Sequence, residues 1–204
     1  MDKEELVNAI VELEWKAFDK VDNLGGRADC QNDFNTFSVM RKSQYLAWPK
    51  NLLESFYVDF MEANQRNWNL ITEKYGRMME STVPEEYEAI KDKFPVCSEK
   101  KRAIVNQIAE IQVEWMEEFA KEYPNMASNA RSIRSQEDTP YNTSYETYLK
   151  GELLTYSDRT LGLYGSWIVE LERSGKNLAK EIMTNTALLY GYVSLEAAEK
   201  ALEG

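Results

Sequence analysis

The stretch "CQNDFNTFSVMRKSQYLAW" (residues 30–48) has a counterpart later in the chain, "SQEDTPYNTSYETYLKGELLTY" (residues 135–156). Each contains Gln-x-Asp, then an aromatic residue followed by Asn-Thr, and then a long amphipathic run. Helical periodicity alone can align the apolar positions of two segments, but it does not readily align these polar motifs in the same order. The repeated phrase therefore indicates that one helical unit occurs twice.

The alignment extends well beyond these two stretches. From Phe37 and Tyr145 to Glu73 and Glu181, the offset between matching residues stays at 108 without a gap. Upstream, "AIVELEW" (9–15) aligns with "AEIQVEW" (109–115). The pairs on which the alignment depends are Glu14/Glu114, Trp15/Trp115, Lys42/Lys150, Leu46/Leu154, Leu53/Leu161 and Asn69/Asn177. The unit is longer than the ~20–50 residues of a solenoid repeat, which indicates a domain duplication.

Composition and periodicity both predict an all-α fold. The chain has 204 residues, of which 43% are hydrophobic, and only 9 Gly and 5 Pro, so it has few turn formers. We predict a single all-α domain over 1–204, a helical bundle of two similar multi-helix halves related by a pseudo-twofold axis. The predicted parts are repeats at about 5–82 and 98–191, a linking helix over 84–94 and a C-terminal helix over 194–203.

Several helix boundaries can be assigned from single residues. Gly25-Gly26 breaks the first helix, and Pro49 ends the helix that starts after Asp33. Asp33 and Asp138 precede amphipathic runs at matching places, so we predict that both cap helix N-termini. Thr143 to Glu146 has the spacing of a capping box, and Ser98 and Ser194 are predicted N-caps.

Composition also excludes several classes of function. The chain has no histidine, which excludes Ser-His-Asp and Cys-His catalysis and zinc sites that use histidine. A net charge of −11 argues against a nucleic-acid partner. No apolar run approaches the ~20 residues of a membrane span. Two cysteines and an acidic N-terminus without a signal peptide favour a cytoplasmic protein.

The Glu-Trp pairs are the first candidates for a site. Glu14 and Glu114 each follow an apolar residue and precede Trp, so we expect both to be at least partly buried. In a structural interpretation, each carboxylate is satisfied within its own half, Glu14 by Arg27 and Glu114 by Arg131 or Arg134, or by loop N–H groups. In a functional interpretation, the two carboxylates and the two loops open onto a shared cavity.

The loops supply further candidates, because Arg beside carboxylates recurs at matched places in both halves. The predicted ligand-binding residues are Glu14, Glu114, Arg27, Arg131, Arg134, Asp33, Asp138 and Tyr145. A weaker metal interpretation groups Glu14, Glu114, Glu73 and Glu181, with Glu152, as an all-carboxylate site for Mg²⁺ or Mn²⁺. No cofactor is otherwise expected. Cys30 has no histidine partner, which argues against a nucleophilic role.

These observations favour binding of a small molecule or a partner at a cleft between the halves. The alternative is a carboxylate-based enzyme, dependent on Mg²⁺ or Mn²⁺, that acts on a small metabolite or nucleotide. The second alternative is a structural or protein-interaction module.

The chain also resembles a known family. The runs "GGRADCQNDFNTF", "SQYLAWP", "TEKYGRMMEST" and "SQEDTPYNTSYETYLKGELLTYS" are similar to those of a bacterial family known only as a domain of unknown function. The similarity covers nearly the whole chain. It implies a stand-alone bacterial cytoplasmic protein, and it implies no particular activity.

Overall fold

A computed structural model describes residues 1–22 and 26–203, so Gly25 of the predicted Gly25-Gly26 break lies outside the described residues. Within these ranges the chain forms eleven α-helices and no β-strand. The helices are α1 (Lys3–Phe18), α2 (Phe34–Ala47), α3 (Lys50–Gln65), α4 (Leu70–Thr82), α5 (Pro84–Glu88), α6 (Glu99–Glu122), α7 (Pro124–Ser128), α8 (Tyr145–Thr155), α9 (Asp158–Arg173), α10 (Leu178–Leu189) and α11 (Leu195–Ala201). The prediction of an all-α fold is confirmed.

Short polar side chains begin most of these helices. Asp33 accepts a hydrogen bond from the Thr36 backbone N–H, and Asn69 and Asn177 begin α4 and α10 in the same way. Such caps satisfy backbone N–H groups that have no partner inside the helix. The N-caps with a bonded side chain are Asp2, Asp33, Asn69, Ser98, Ser144, Ser157, Asn177 and Ser194. The predicted caps at Asp33, Ser98 and Ser194 are confirmed.

Two predicted boundaries differ from the structure. The predicted linking helix over 84–94 consists of α5 followed by a separate 3₁₀ turn at Lys91–Lys93. Pro95 disfavours the helical conformation of Phe94 and so limits the 3₁₀ turn, but it does not explain why α5 already ends at Glu88. The predicted loop after α6 contains the short helix α7, which begins at Pro124, a residue well suited to a first helical turn.

Helices from the first part of the chain pack against helices from the second part around a common core. α4 lies against α8, and α2 lies against α10, while α3 contacts α9. α1 packs on α2, α3 and α4, and α6 packs on α8, α9 and α10. The centre is aromatic and is formed by the rings of Trp48, Phe56, Tyr156 and Tyr164, and the centroids of contacting rings lie 5.1 to 6.2 Å apart. Tilted and edge-on ring contacts of this kind add to the burial of large apolar surfaces.

Glycine allows α4 and α8 to approach closely. A Cβ atom placed on Gly151 would lie 2.7 Å from Met78 Cγ and 3.0 Å from the Lys74 carbonyl oxygen. On the other side of α4, a Cβ atom on Gly76 would meet the ring of Phe94. Phe94 belongs to the segment between α5 and α6, which therefore packs on this side of α4. Glycine therefore permits the close packing of α4 against α8 and against the Phe94 ring. No helix in the described ranges has the length and apolar character needed to cross a membrane.

Candidate functional site

A buried ion-pair network joins four helices in the interior. Arg41 on α2 donates to both carboxylate oxygens of Glu14 on α1, from Nε and Nη2, at 2.7 Å each. The same guanidinium contacts Glu152 on α8 at 3.1 and 3.2 Å. Lys74 on α4 donates to Glu152 Oε2 at 2.5 Å. These four side chains are between 1% and 8% exposed, so the network contains two cations and two carboxylates away from solvent.

Neutral side chains complete the hydrogen bonding of the network. Gln44 and the hydroxyl of Tyr156 both donate to Glu152 Oε1, at 2.9 and 3.0 Å. The hydroxyl of Tyr45 accepts a hydrogen bond from Arg41. Lys74 Nζ also lies 3.6 Å from the centre of the Tyr148 ring. Buried charges are tolerable only when they are paired and hydrogen bonded in this way.

The network shifts the pKa values of Glu152 and Arg41 and of the neighbouring Tyr148. Burial by itself would raise the pKa of Glu152, but Arg41 and Lys74 outweigh it and hold that pKa well below the usual glutamate range. Burial would lower the pKa of Arg41, yet Glu14 and Glu152 raise it well above its usual value. Burial would likewise raise the pKa of Tyr148, and Lys74 and Arg41 lower it instead. Arg41 and Glu152 are therefore ionised near neutral pH.

Sequence reasoning missed both cations of the network, although a signal for them exists. Arg41 lies four residues after Phe37 and four before Tyr45, so it is in register with an aromatic stripe on α2. Lys74 lies in the same way between Leu70 and Met78 on α4. A cation that replaces an apolar residue in such a stripe is predicted to be buried and paired.

The expected arginine partners of Glu14 (Arg27) and of Glu114 (Arg131 or Arg134) were wrong. Arg27 instead donates to Asp19 at 2.6 Å and to the Gln31 carbonyl, within its own loop. Arg134 binds Glu117 at 2.7 Å and Glu110 at 2.9 Å on α6. Arg131 donates to the Thr143 carbonyl, and its guanidinium lies 4.6 Å from the centre of the Tyr148 ring. The three loop arginines therefore bind separate places, and only Arg131 reaches the edge of the network.

The expectation that Glu114 is at least partly buried was also wrong, because Glu114 is exposed on α6. Gln112 is buried there instead, and its Oε1 accepts from the Tyr164 hydroxyl at 2.9 Å. The buried residues of α6 match those of α1 when the two helices are aligned with an offset of 98 residues. The Glu-Trp pairs are aligned by an offset of 100 residues, so Glu14 matches Gln112 in burial and does not match Glu114. Asn69 donates to the Ala17 carbonyl and Asn177 donates to the Trp115 carbonyl, and these two acceptors are also 98 residues apart.

The proposed metal ligands are dispersed. Glu73 is buried and binds Arg77 at 2.6 Å and the indole N–H of Trp68 at 2.6 Å. Glu181 is exposed, as Glu114 is, whereas Glu14 and Glu152 are bound to cations. Across residues 1–22 and 26–203, no group of three or more His, Cys, Asp or Glu side chains is arranged to hold a metal ion.

Asp138 has a different role from the predicted N-cap. Ser144 caps α8 by accepting from the Thr147 N–H, and Asp138 in turn accepts from the Ser144 N–H at 2.6 Å. Its other oxygen accepts from the hydroxyls of Ser81 and Thr147, at 2.5 Å each. Asp138 thereby ties the loop before α8 to the end of α4. The predicted capping box from Thr143 to Glu146 is also wrong, since Glu146 accepts from the Ser135 N–H.

A surface cleft of about 350 Å³ lies beside this tie, between α4, α6, α8 and the loop before α8. Hereafter it is called the α4–α6–α8 cleft. The residues that line it are Arg77, Glu80, Ser81, Arg102, Val105, Asn106, Ser135, Thr147, Lys150, Gly151 and Leu154. Gly151 lines the cleft where α8 packs closely on α4. Of the predicted residues, Asp138 contacts two lining residues, whereas Asp33 caps α2 and does not line the cleft, and Tyr145 is half-buried at the start of α8.

Comparisons with known proteins agree with the resemblance that the sequence motifs indicate. A search of curated proteins and a search of solved structures each gave no match. The family described as "Protein of unknown function (DUF4125)" matches residues 4–200, and the chain therefore belongs to this family.

Proposed function

We propose that this protein binds a small polar molecule in the α4–α6–α8 cleft. The observation that carries the proposal is the cleft itself, because three helices and a loop bring cationic, anionic, hydroxyl and amide side chains together around about 350 Å³. That volume is at the lower end of the ~300–1,000 Å³ range of small-molecule sites. The charged lining argues for a polar ligand.

Rigidity of the cleft floor supports the same proposal. α4 and α8 are held by the Lys74–Glu152 ion pair at 2.5 Å and by the close approach at Gly151. The wall at the end of α4 is fixed by Asp138 through Ser81 and Thr147. A site built on elements that are already fixed loses little conformational entropy when a ligand binds.

We further propose that the chain is an internal duplication and that this cleft lies between its halves. In support, α3 and α9 have bounds that differ by 108 residues at both ends, and Asn69 and Asn177 cap the helices that follow. The positive φ angles of Asn67 and Gly175, 53° and 67°, have the same offset. The pair α4–α8 corresponds to the pair α10–α2 under this relation. α4 belongs to the first half, and α6 and α8 belong to the second.

Filling the cleft tests the proposal. Asn106 is exposed and lines the cleft, so Asn106→Trp should occupy it without removing a described hydrogen bond. The control is Gln107→Trp, since Gln107 is also exposed on α6 but does not line the cleft. Both variants and the original chain would be screened by ligand-observed NMR against amino acids, sugars, organic acids, nucleotides, Mg²⁺ and Mn²⁺.

The expected result is at least one small molecule that binds the original chain and Gln107→Trp but not Asn106→Trp. Binding that persists in Asn106→Trp would place the ligand elsewhere and contradict the proposal. The absence of binding by every compound in the screen would count against it in the same way.

A further inference from the structure

The lining of the cleft also indicates the class of its ligand. We infer that the α4–α6–α8 cleft takes a small zwitterion with one carboxylate and one ammonium group, of which a free α-amino acid is the simplest example. This inference depends on the proposed function, because it concerns the same cleft. Two groups of lining residues with opposite hydrogen-bonding character support it.

The first group accepts hydrogen bonds. The hydroxyls of Ser81 and Thr147 both donate their protons to Asp138 Oδ2 at 2.5 Å. A hydroxyl has one proton and two lone pairs, so each of these oxygens presents lone pairs to a further partner. The carboxylate of Asp138 places a negative charge directly behind them. This end of the cleft therefore suits a cationic donor such as an ammonium group.

The second group donates hydrogen bonds. Lys150 Nζ donates to Glu146 Oε1 at 2.6 Å, and an ammonium group has two further N–H donors. Arg102 contacts Glu80 through Nη1 at 3.0 and 3.3 Å, whereas a guanidinium has five N–H donors on three nitrogens. Neither cation can accept a hydrogen bond. This part of the cleft therefore suits a carboxylate.

The spacing of the two groups suits a small ligand. Thr147 and Lys150 are three residues apart on α8, so they lie on the same face of this helix, with Cβ atoms roughly 5–6 Å apart. One compact molecule can therefore contact an acceptor and a donor at once. The hydroxyl groups of a sugar both donate and accept hydrogen bonds. A sugar therefore matches a site with separate accepting and donating groups less well than a zwitterion does.

The charge balance argues against phosphorylated ligands. The three lining cations are each paired with a carboxylate: Arg77 with Glu73, Arg102 with Glu80, and Lys150 with Glu146. Asp138 adds a fourth carboxylate, and the whole chain has a net charge of −11. A ligand with two or more negative charges would be repelled by this field, whereas a zwitterion would not be.

Calorimetric titration of the intact chain tests the inference. The probes are the twenty standard L-amino acids, AMP, inorganic phosphate and glucose, followed by the N-acetyl and amide derivatives of any amino acid that binds. We expect one or more amino acids to bind, and each derivative to bind at least about tenfold more weakly, a loss of ~1.4 kcal/mol. Lys150→Gln should weaken binding by a similar factor, and Ser81→Ala should weaken it measurably. Lys42→Gln is the matched control, because Lys42 corresponds to Lys150 but does not line the cleft.

Two results would overturn the inference, and they have different consequences for the proposed function. If AMP, phosphate or glucose binds and Asn106→Trp abolishes that binding while no amino acid binds, the zwitterion is wrong and the proposed function survives. If no probe shows binding that is sensitive to Asn106→Trp, the inference and the proposed function both fail.

Discussion

The side-chain amide of Gln44 donates to Glu152 Oε1 at 2.9 Å, and these two residues occupy corresponding positions under the offset of 108. A residue meets its own counterpart only where a twofold axis passes between them. The rings of Trp48 and Tyr156, another corresponding pair, also meet, with centroids 6.2 Å apart. The two contacts mark where a pseudo-twofold axis would pass through the buried ion-pair network.

The first prediction follows from the proposed duplication. In an experimental structure, residues 37–80 should superpose on 145–188 by a rotation close to 180°, with helix order and direction preserved. The constant offset in the sequence and the matching bounds of α3 and α9 are the reasons. Segments that run in different directions, or that pack on unrelated partners, would show that the sequence alignment is coincidental.

The second prediction concerns the centre of the network. Arg41→Met should lower the free energy of unfolding by about 3–5 kcal/mol, because it leaves Glu14 without its cation and deprives Glu152 of one. Chemical denaturation measures this change. Lys42→Met is the control on the next residue of α2, outside the network, and it should change stability by less than about 0.5 kcal/mol. Equal losses in the two variants would argue against the network.

The third prediction separates the two Glu-Trp motifs. Glu14→Gln should lose about 1–3 kcal/mol of stability, because Glu14 is 1% exposed and accepts two hydrogen bonds from Arg41. Glu114→Gln should change stability by no more than about 0.5 kcal/mol, since Glu114 is exposed. Thermal and urea unfolding of both variants provide the comparison. A large loss in Glu114→Gln would mean that the buried face of α6 has been misidentified.

The fourth prediction is a dependence of stability on pH. Because the network lowers the pKa of Glu152 in the folded chain, its contribution is fully present above the unfolded glutamate pKa of about 4.3. That contribution is lost as pH falls from there toward the folded pKa. The melting temperature should therefore fall steeply below about pH 4.3, and the fall should be shallower in Glu152→Gln. Identical slopes in the two proteins would exclude Glu152 as a source of acid sensitivity.

The fifth prediction concerns two helical glycines. Gly151→Ala should destabilise the fold by about 1–3 kcal/mol, because the added Cβ meets Met78 and the Lys74 carbonyl oxygen. Gly162→Ala on α9 should instead stabilise it by about 0.5–1 kcal/mol, since nothing lies within 4 Å and alanine favours a helix. Thermal unfolding of both variants, followed by circular dichroism, shows whether each substitution raises or lowers stability. A neutral Gly151→Ala would mean that α4 and α8 can separate at little cost.

The sequence was sufficient for features that depend on local chemistry. Asp33, Ser98 and Ser194 begin helices as predicted, and Pro49 separates α2 from α3, because caps and proline act through adjacent backbone groups. The alignment of Glu14 with Glu114 did not predict burial, because it matched residue types only. Burial depends on which side of each helix faces the core. A shift of two residues turns a helix by about 200°, which moves a side chain from the core to the surface.

The candidate site could be predicted only in part. Asp138 was identified from its loop, yet its hydroxyl partners Ser81 and Thr147 lie on two other elements. Arg102 and Lys150 lie 48 positions apart in the chain, and they share a cleft only because α6 and α8 pack together. Which charged residues meet depends on helix packing, and the sequence period of each helix does not specify it.

Because α4 packs on α8 and α2 packs on α10, the stability of the first part of the chain depends on the second part. Val96, in the segment between α5 and α6, is 99% exposed, so the chain could be cleaved there without disturbing a packed side chain. We expect neither fragment to keep its core, since α2, α3 and α4 of the first fragment pack against α10, α9 and α8 of the second. The two fragments would complement each other as a non-covalent heterodimer, and neither would fold as an independent half.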